Sequence, residues 1–268
     1  MLRIAVLQGA ARTNAVAENL AKIFSFAEQA AREGTDLLVT PELFATGYAP
    51  SLVRHSDGGA VRAALAGIAR QHSIALVGSS VEAAGSDLHI CASFFDDQGI
   101  ELTRYRKEHL FGPDEKESFA PGNELPELVP YRGLTIALGI CYDIEFPEYA
   151  RSAARRGADL LCIPTAVPST GDVGGATLEL RYNAQRISTM MVPVRALENG
   201  VYIAYANHTG PAFTGHSGIA SPYGTFLALA ADGEQLLTAE VDEEEVRRAR
   251  GINTYLECVR TDLYPPPG

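Results

Sequence analysis

The 268-residue chain has no apolar run long enough to span a bilayer as a helix, which excludes a membrane-spanning helical protein. It has no excess of basic residues. The 22 Lys and Arg are outnumbered by 33 Asp and Glu, and a net charge of −11 argues against non-specific nucleic-acid binding. The same charge gives a weak bias toward cationic over anionic small molecules. There is no Cys-x-x-Cys pair: Cys91, Cys141, Cys162 and Cys258 are far apart, so neither a disulfide framework nor a zinc knuckle is implied. The glycine-rich Gly171-Asp-Val-Gly-Gly175 does not match a dinucleotide fingerprint, and no Gly-Lys-Ser/Thr of a P-loop occurs. Repeats of fixed period and linker-like shifts in composition are also missing. Met1-Leu-Arg-Ile-Ala-Val-Leu-Gln8 lacks the apolar segment of a signal peptide and reads as a first strand, so a reducing cytoplasm is expected.

What is present suits a globular enzyme: 46% hydrophobic and 21% charged residues, with length enough for a large core. Short β-branched runs alternate with amphipathic stretches. Strands are expected near Arg3–Gln8, Asp36–Thr40, Ile74–Gly78, Leu134–Ile140, Ala158–Ile163 and Val201–Tyr205. A hairpin is expected around Asp97-Gln98-Gly99, with arms Leu88–Phe95 and Ile100–Tyr105. Further strands fall at Ser217–Ala220, Phe226–Leu229 and Leu236–Val241. Helices are expected at Asn14–Arg32, Ala60–Gln71, Pro147–Arg156, Thr177 to about Met190, Val194–Asn199 and Asp242–Arg250. Both halves mix strands with helices, which favours one α/β domain over residues 1–268, with 256–268 an extended tail. Two sheets packed face to face with helices outside would cover this many apolar strands. A single Rossmann-like sheet is the alternative.

Cys91 and Cys162 lie in apolar runs and read as core thiols. Cys141 differs. It sits where the apolar run Leu134–Ile140 meets the polar turn Tyr142-Asp-Ile-Glu-Phe146, ahead of a helix opened by Pro147 and closed by Gly157. A thiol on a strand-to-helix turn is expected to be exposed and to be drawn toward its thiolate by nearby backbone N–H groups. That suggests a nucleophile, which needs an activating base. None of the six histidines (His55, His72, His89, His109, His208, His216) lies in a recognisable protease motif. Glu42 and Lys107 each follow an apolar strand, and strand ends are where sites collect in α/β proteins. Singly, each of the three has an ordinary reading as loop, surface or core residue.

The segments Pro41-Glu-Leu-Phe…Gly-Tyr48, Tyr105-Arg-Lys-Glu-His-Leu-Phe-Gly112 and Gly139-Ile-Cys-Tyr-Asp-Ile-Glu-Phe-Pro-Glu148 resemble the three signatures of the nitrilase, or carbon–nitrogen hydrolase, superfamily, in its amidase-like branch. Arg195-Ala-Leu-Glu-Asn-Gly200 and Tyr205-Ala-Asn-His-Thr-Gly210 are similar to downstream family segments. The resemblance implies a four-layer αββα sandwich, paired into homodimers or larger homo-oligomers, with no metal and no organic cofactor. It implies a Glu42–Lys107–Cys141 triad and a second glutamate after the lysine, matched here to Glu115, with Glu117 the alternative.

On that footing the expected chemistry is hydrolysis of a small aliphatic or amino-acid amide through a thioester, releasing ammonia and a carboxylic acid. Glu42 acts as base, the Lys107 ammonium and the Tyr142 N–H hold the oxyanion, and Glu115 orients Lys107 or the substrate. N-carbamoyl hydrolysis and nitrile hydrolysis rank second and third. A scaffold or binding protein with a degenerate site and a cysteine–histidine acyltransferase or thioesterase are the other classes in play. Tyr48, Phe111, Phe146 and Tyr182 are candidate pocket walls, and Thr165 and Ala166 would leave room beside the thiol. Glu145 stands where many relatives carry arginine. It is open to two readings, a partner for a substrate amino group and a salt bridge with a residue such as Arg151. Arg195 and Glu198 are expected to pair locally.

Overall fold

The computed structural model describes residues 1–169, 184–260 and 262–263. The strands are β1 (Leu2–Gln8), β2 (Leu37–Val39), β3 (Ala75–Ala84), β4 (Asp87–Phe95), β5 (Glu101–Arg106), β6 (Val129–Tyr131), β7 (Leu134–Leu138), β8 (Leu160–Pro164), β9 (Tyr202–Ala206), β10 (Gly218–Ala220), β11 (Phe226–Leu229) and β12 (Gln235–Val241). They form two six-stranded sheets, ordered β12-β1-β2-β3-β4-β5 and β11-β10-β9-β8-β7-β6. Each sheet has a parallel run of three, β1-β2-β3 in one and β7-β8-β9 in the other, extended by antiparallel strands. The α-helices are α1 (Val16–Arg32), α2 (Pro50–Val53), α3 (Gly58–His72), α4 (Gly112–Ser118), α5 (Pro147–Arg155), α6 (Val192–Asn199), α7 (Glu243–Ile252) and α8 (Tyr255–Cys258).

Side-chain alternation builds the layers. Leu2, Ile4 and Val6 of β1 join a buried cluster with Val39, Val77 and Phe94 of the same sheet and with Leu138, Leu161 and Ile203 of the other. Ala5 and Leu7 point the opposite way, into a second cluster with Ile23 and Ala27 of α1 and Val61, Leu65 and Ile68 of α3. The strand is thus buried on both faces over residues 4–7, as that apolar run requires. On the far side Ala150, Ala153 and Ala154 of α5 and Val192 and Ala196 of α6 are buried against the second sheet. The result is the four-layer αββα sandwich, and the single-sheet alternative is ruled out.

Most expected elements are in place, including the hairpin around Asp97-Gln98-Gly99, whose strands pair from Cys91↔Arg106 to Phe95↔Glu101. Three differ. The turn after Cys141 is a 3-10 helix, Cys141–Glu145. The residues before α6 form a π-helical turn, Ile187–Met191, that runs straight into it, so no break separates the two helices expected there. Their N-terminal part, the Gly171–Gly175 loop and Tyr182 lie outside the described residues. The tail expected to be extended from Leu256 begins instead with α8, because Leu256 packs against the main core. Among the described residues no helix is long and apolar enough to cross a membrane.

Candidate active site

The parallel strands of both sheets deliver their C-terminal ends to one place. β2 leads into Glu42, β7 into Cys141, β8 into Thr165 and Ala166, and β9 into Asn207 and His208, while β5 leads into Lys107. Two turns there are left-handed at residues with side chains, Leu43 at φ +48° and Cys141 at φ +47°. Each such residue costs on the order of 1–3 kcal/mol and persists only where its surroundings over-determine it. At Cys141 the restraint is Asp143. Its buried carboxylate accepts from Ile140 N at 2.9 Å, from His109 N and Nδ1 at 2.9 Å each, and from the Tyr105 hydroxyl at 2.9 Å. This ties the nucleophile's turn to the segment that carries Lys107. Gly139 is needed as glycine: a Cβ there would lie 2.5 Å from the Tyr149 hydroxyl.

Lys107 is the centre of the site. Its Nζ donates to Glu42 Oε1 at 2.8 Å and to Glu115 Oε1 at 2.7 Å, all three side chains being essentially inaccessible. Glu115 also accepts from the Tyr48 hydroxyl at 2.6 Å and from Phe111 N at 2.7 Å. Glu117 is exposed, so Glu115 is the second glutamate of the cluster. Glu42 Oε2 has no hydrogen-bond partner among the described residues, and the Cys141 thiol is close enough to interact with this carboxylate. Glu42 N donates to Thr165 O at 3.2 Å, and Glu42 O accepts from His208 Nε2 at 2.6 Å.

Burial dominates the electrostatics. It pushes the Glu42 carboxyl up to about 8, with Glu115 adding to the rise and Lys107 opposing it. Burial likewise pushes the Cys141 thiol well above its usual range, helped by Glu42, against the opposing pull of Lys107 and the N–H of Ala166. Burial works against the Lys107 charge, but Glu115 and Glu42 overcome it and hold the ammonium firmly protonated. The exposure expected for Cys141 is therefore wrong, and burial outweighs the backbone N–H that favours its thiolate. The residue is 5% exposed because the turn is roofed by neighbouring elements, and its proton must go to a base. Glu42 is the adjacent one, with its affinity raised for that purpose.

The remaining expected residues fall into two groups. Tyr142 and Phe111 meet edge to face at 5.3 Å, Tyr142 meets Phe146 edge to face at 4.9 Å, and Phe146 lies flat on His109 at 3.8 Å, so the three rings form one cluster on the turn that follows Cys141. Tyr48 acts mainly through Glu115. Thr165 is fully buried with its hydroxyl on Ile163 O, so it holds Glu42 by its backbone, while Ala166 presents its N–H to Cys141. Glu145 is half-buried and makes no salt bridge with Arg151. Arg195 pairs with Glu198 as expected, at 3.0 Å, but also donates to the carbonyls of Ile144 and Glu145.

Sequence reasoning missed Asp143, Tyr205, Ser188 and His208. His208 is 1% exposed and sandwiched between Phe44 at 5.4 Å and Phe213 at 4.8 Å, and burial pushes it down to about 4. It is a neutral ring whose Nε2–H holds the main chain at Glu42. Its place in Asn207-His-Thr-Gly210, just past a strand end, was the available signal.

Together, the sandwich and a buried thiol beside a carboxylate–ammonium–carboxylate cluster define a thiol-dependent hydrolase. The sequence profile described as carbon-nitrogen hydrolase matches residues 3–251, and the chain belongs to that family. It is 33% identical to a protein of Pseudomonas protegens described as a hydrolase in the pqqF 5′ region, over 98% of this chain and 90% of that one. It is 32% identical to the mouse omega-amidase NIT2, covering 92% and 91%. Among solved structures, the NitN amidase of Nesterenkonia sp. AN1 superimposes with a TM-score of 0.85 at 36% identity, over 98% of both chains. One structure of a variant of that amidase has acrylamide added at its active-site cysteine. In this chain the Glu, Lys and Cys brought together are Glu42, Lys107 and Cys141.

Proposed function

We propose that the protein hydrolyses small aliphatic amides to a carboxylic acid and ammonia. The observation that carries this reading is the Lys107 ammonium held between Glu42 and Glu115 next to the Cys141 thiol. Glu42 takes the thiol proton as sulfur attacks the amide carbon. The oxyanion so formed is met by Lys107 and the Tyr142 N–H, donors worth on the order of 3 kcal/mol each. The C–N bond then breaks, Glu42 passes its proton to the leaving nitrogen, and ammonia departs from a thioester. Water enters, gives a proton to Glu42 and its oxygen to the acyl carbon, and the released sulfur recovers the proton. Glu115 keeps Lys107 charged and aimed. Phe111 and Phe146 bound the acyl side of the pocket.

The test is ammonium release from acetamide and propionamide together with the mass of the trapped enzyme. Fluoroacetamide should alkylate the protein once, sulfur displacing fluoride to leave an acetamide group on a thioether, and the adduct is lost in Cys141→Ala. Normal turnover by Cys141→Ala or Cys141→Ser refutes the assignment.

Three broader features belong to the same proposal. The enzyme is a single domain, supported by the core cluster that both sheets share. It works in a reducing cytoplasm, supported by four free cysteines. It forms a homodimer through the side of the second sheet where Val194, Leu197, Leu227 and Leu229 stand exposed, and sedimentation of Leu197→Glu as a monomer is the expected result.

A further inference from the structure

Glu145 closes the 3-10 turn that begins at Cys141, so its main chain moves with the nucleophile. Arg195 clamps that main chain, donating to Ile144 O at 3.1 Å and Glu145 O at 2.9 Å, and gives its remaining fork to Glu198. The Glu145 carboxylate is left out of this network and takes no hydrogen bond or ion pair among the described residues. It is half-buried; burial raises its carboxyl to about 7, and the Lys107 ammonium and then Arg195 oppose that rise, which puts it within reach of both charges. Lys107 has no charge to spare for it. That single ammonium already serves two carboxylates, and Glu145 makes a third.

Two other buried polar groups lie close to one another in the same region. The Tyr205 hydroxyl and Ser188 Oγ belong to residues 1% and 0% exposed and have no hydrogen-bond partner among the described residues. The Tyr205 hydroxyl lies near Ser188 and Thr165 and within electrostatic reach of both Cys141 and Glu145. Buried polar groups left open beside a nucleophile are costly unless a ligand completes them. An ammonium supplies three N–H donors and no acceptor, which suits a carboxylate flanked by hydroxyl oxygens.

We infer that Glu145, with the Tyr205 hydroxyl and Ser188 Oγ, receives a positively charged amino group on the acyl part of the substrate, so that the preferred substrates are small amino-acid amides. This rests on the amide-hydrolase reading above. Lactamide and alaninamide have nearly the same shape, and alaninamide alone carries an amine, largely protonated at pH 7.

The experiment measures kcat/KM for alaninamide, lactamide and succinamate by ammonium release at pH 7. The wild-type enzyme is expected to prefer alaninamide over lactamide by about tenfold or more, the range for a charge-assisted contact. Glu145→Gln should cut the alaninamide-to-lactamide ratio by about tenfold, chiefly through KM. Glu145→Arg should turn the preference toward succinamate, and Tyr205→Phe should lower the ratio by a smaller factor. Because the ratio compares two substrates on one protein preparation, partial loss of folding leaves it unmoved. Equal wild-type efficiency on alaninamide and lactamide overturns the inference while the amide-hydrolase reading stands, and so does an unaltered ratio in Glu145→Gln. Release of ammonium from none of the three overturns both.

Discussion

The first sheet carries two clusters of carboxylates and cations whose chemistry runs in opposite directions. In one, the Glu82 carboxylate of β3 accepts from Arg104 Nη1 and Arg106 Nε of β5, each at 2.7 Å, at a partly exposed sheet edge. In the other, the Lys107 ammonium is divided between Glu42 and Glu115 in the interior. Burial raises both glutamates, but at Glu82 the hydrogen bonds from Arg106 and Arg104 prevail and pull it down to about 2. At Glu42 burial prevails and carries it up to about 8. Two cations on one carboxylate make a permanent anion that fastens strands together. One cation on two carboxylates, out of water, makes a group that exchanges a proton near neutrality, as a catalytic base must.

The largest expected effect comes from removing the groups that react. Cys141→Ala and Glu42→Gln should each reduce ammonium release by about 10⁴-fold or more, as for members of other catalytic units that act together. Thermal melts should show both variants folded. Lys107→Met comes next. Losing an oxyanion donor should lower kcat by about 10²- to 10³-fold. Two buried carboxylates left without their cation should also lower stability by about 3–5 kcal/mol, read from urea unfolding. A Lys107→Met enzyme that is less active but no less stable would break the contrast, because its charge would then not be what the interior has to balance.

The shape of the pH profile sharpens it. With Glu42 raised to about 8 and required as an anion, kcat/KM for propionamide should climb along an acid limb centred near 8. Glu115 raises Glu42 and Lys107 lowers it. Glu115→Gln should therefore shift the limb to lower pH, and Lys107→Met should shift its residual activity to higher pH. Movement of both in one direction would show that the limb belongs to another group.

A smaller effect is expected at His208, which touches Glu42 only through its carbonyl. His208→Phe keeps the stack between Phe44 and Phe213 but loses the N–H, and should lower kcat by about tenfold with KM little altered. His208→Gln restores a donor at similar reach and should recover most of that loss. If His208→Gln is the worse of the two, the ring matters for packing and not for placing the base.

How far these features could be read in the sequence follows from their range. Glu42, Lys107 and Cys141 each stand at the end of an apolar strand with a distinctive local context, so neighbouring residues were enough to pick them out. The two-layered sheet was legible because strands such as β1 are apolar on both faces. His208 pairs with a residue 166 positions away, so its place just past a strand end could mark it but could not name its partner. Asp143 looked like one polar residue of a turn, because three of its four donors arrive from the distant segment 105–109 and only one from nearby Ile140. The burial of Cys141 was misread for the same reason: strand-to-helix turns are exposed unless other elements cover them. The level at which Glu42 exchanges its proton depends on a balance between burial and charge that has no counterpart in residue spacing.

The smallest effect should come from the surface cluster. Glu82→Gln removes an anion whose acidity is strengthened in the fold, from the ordinary 4.5 to about 2. A carboxylate held lower in the native state than in the unfolded chain stabilises above the unfolded value, and that contribution fades as pH falls from 4.5 toward 2. Wild type should exceed Glu82→Gln by about 1 kcal/mol at pH 7, a modest value because Arg104 and Arg106 are about a third exposed and solvent screens the pair. The difference should shrink along the acid side and vanish near pH 2, with kcat and KM for amides untouched throughout. Urea unfolding at pH 7, 4 and 2.5 measures it. A difference that persists undiminished at pH 2.5 would mean that Glu82 acts by packing instead of charge, and the two clusters would then differ in kind rather than in the balance between their charges.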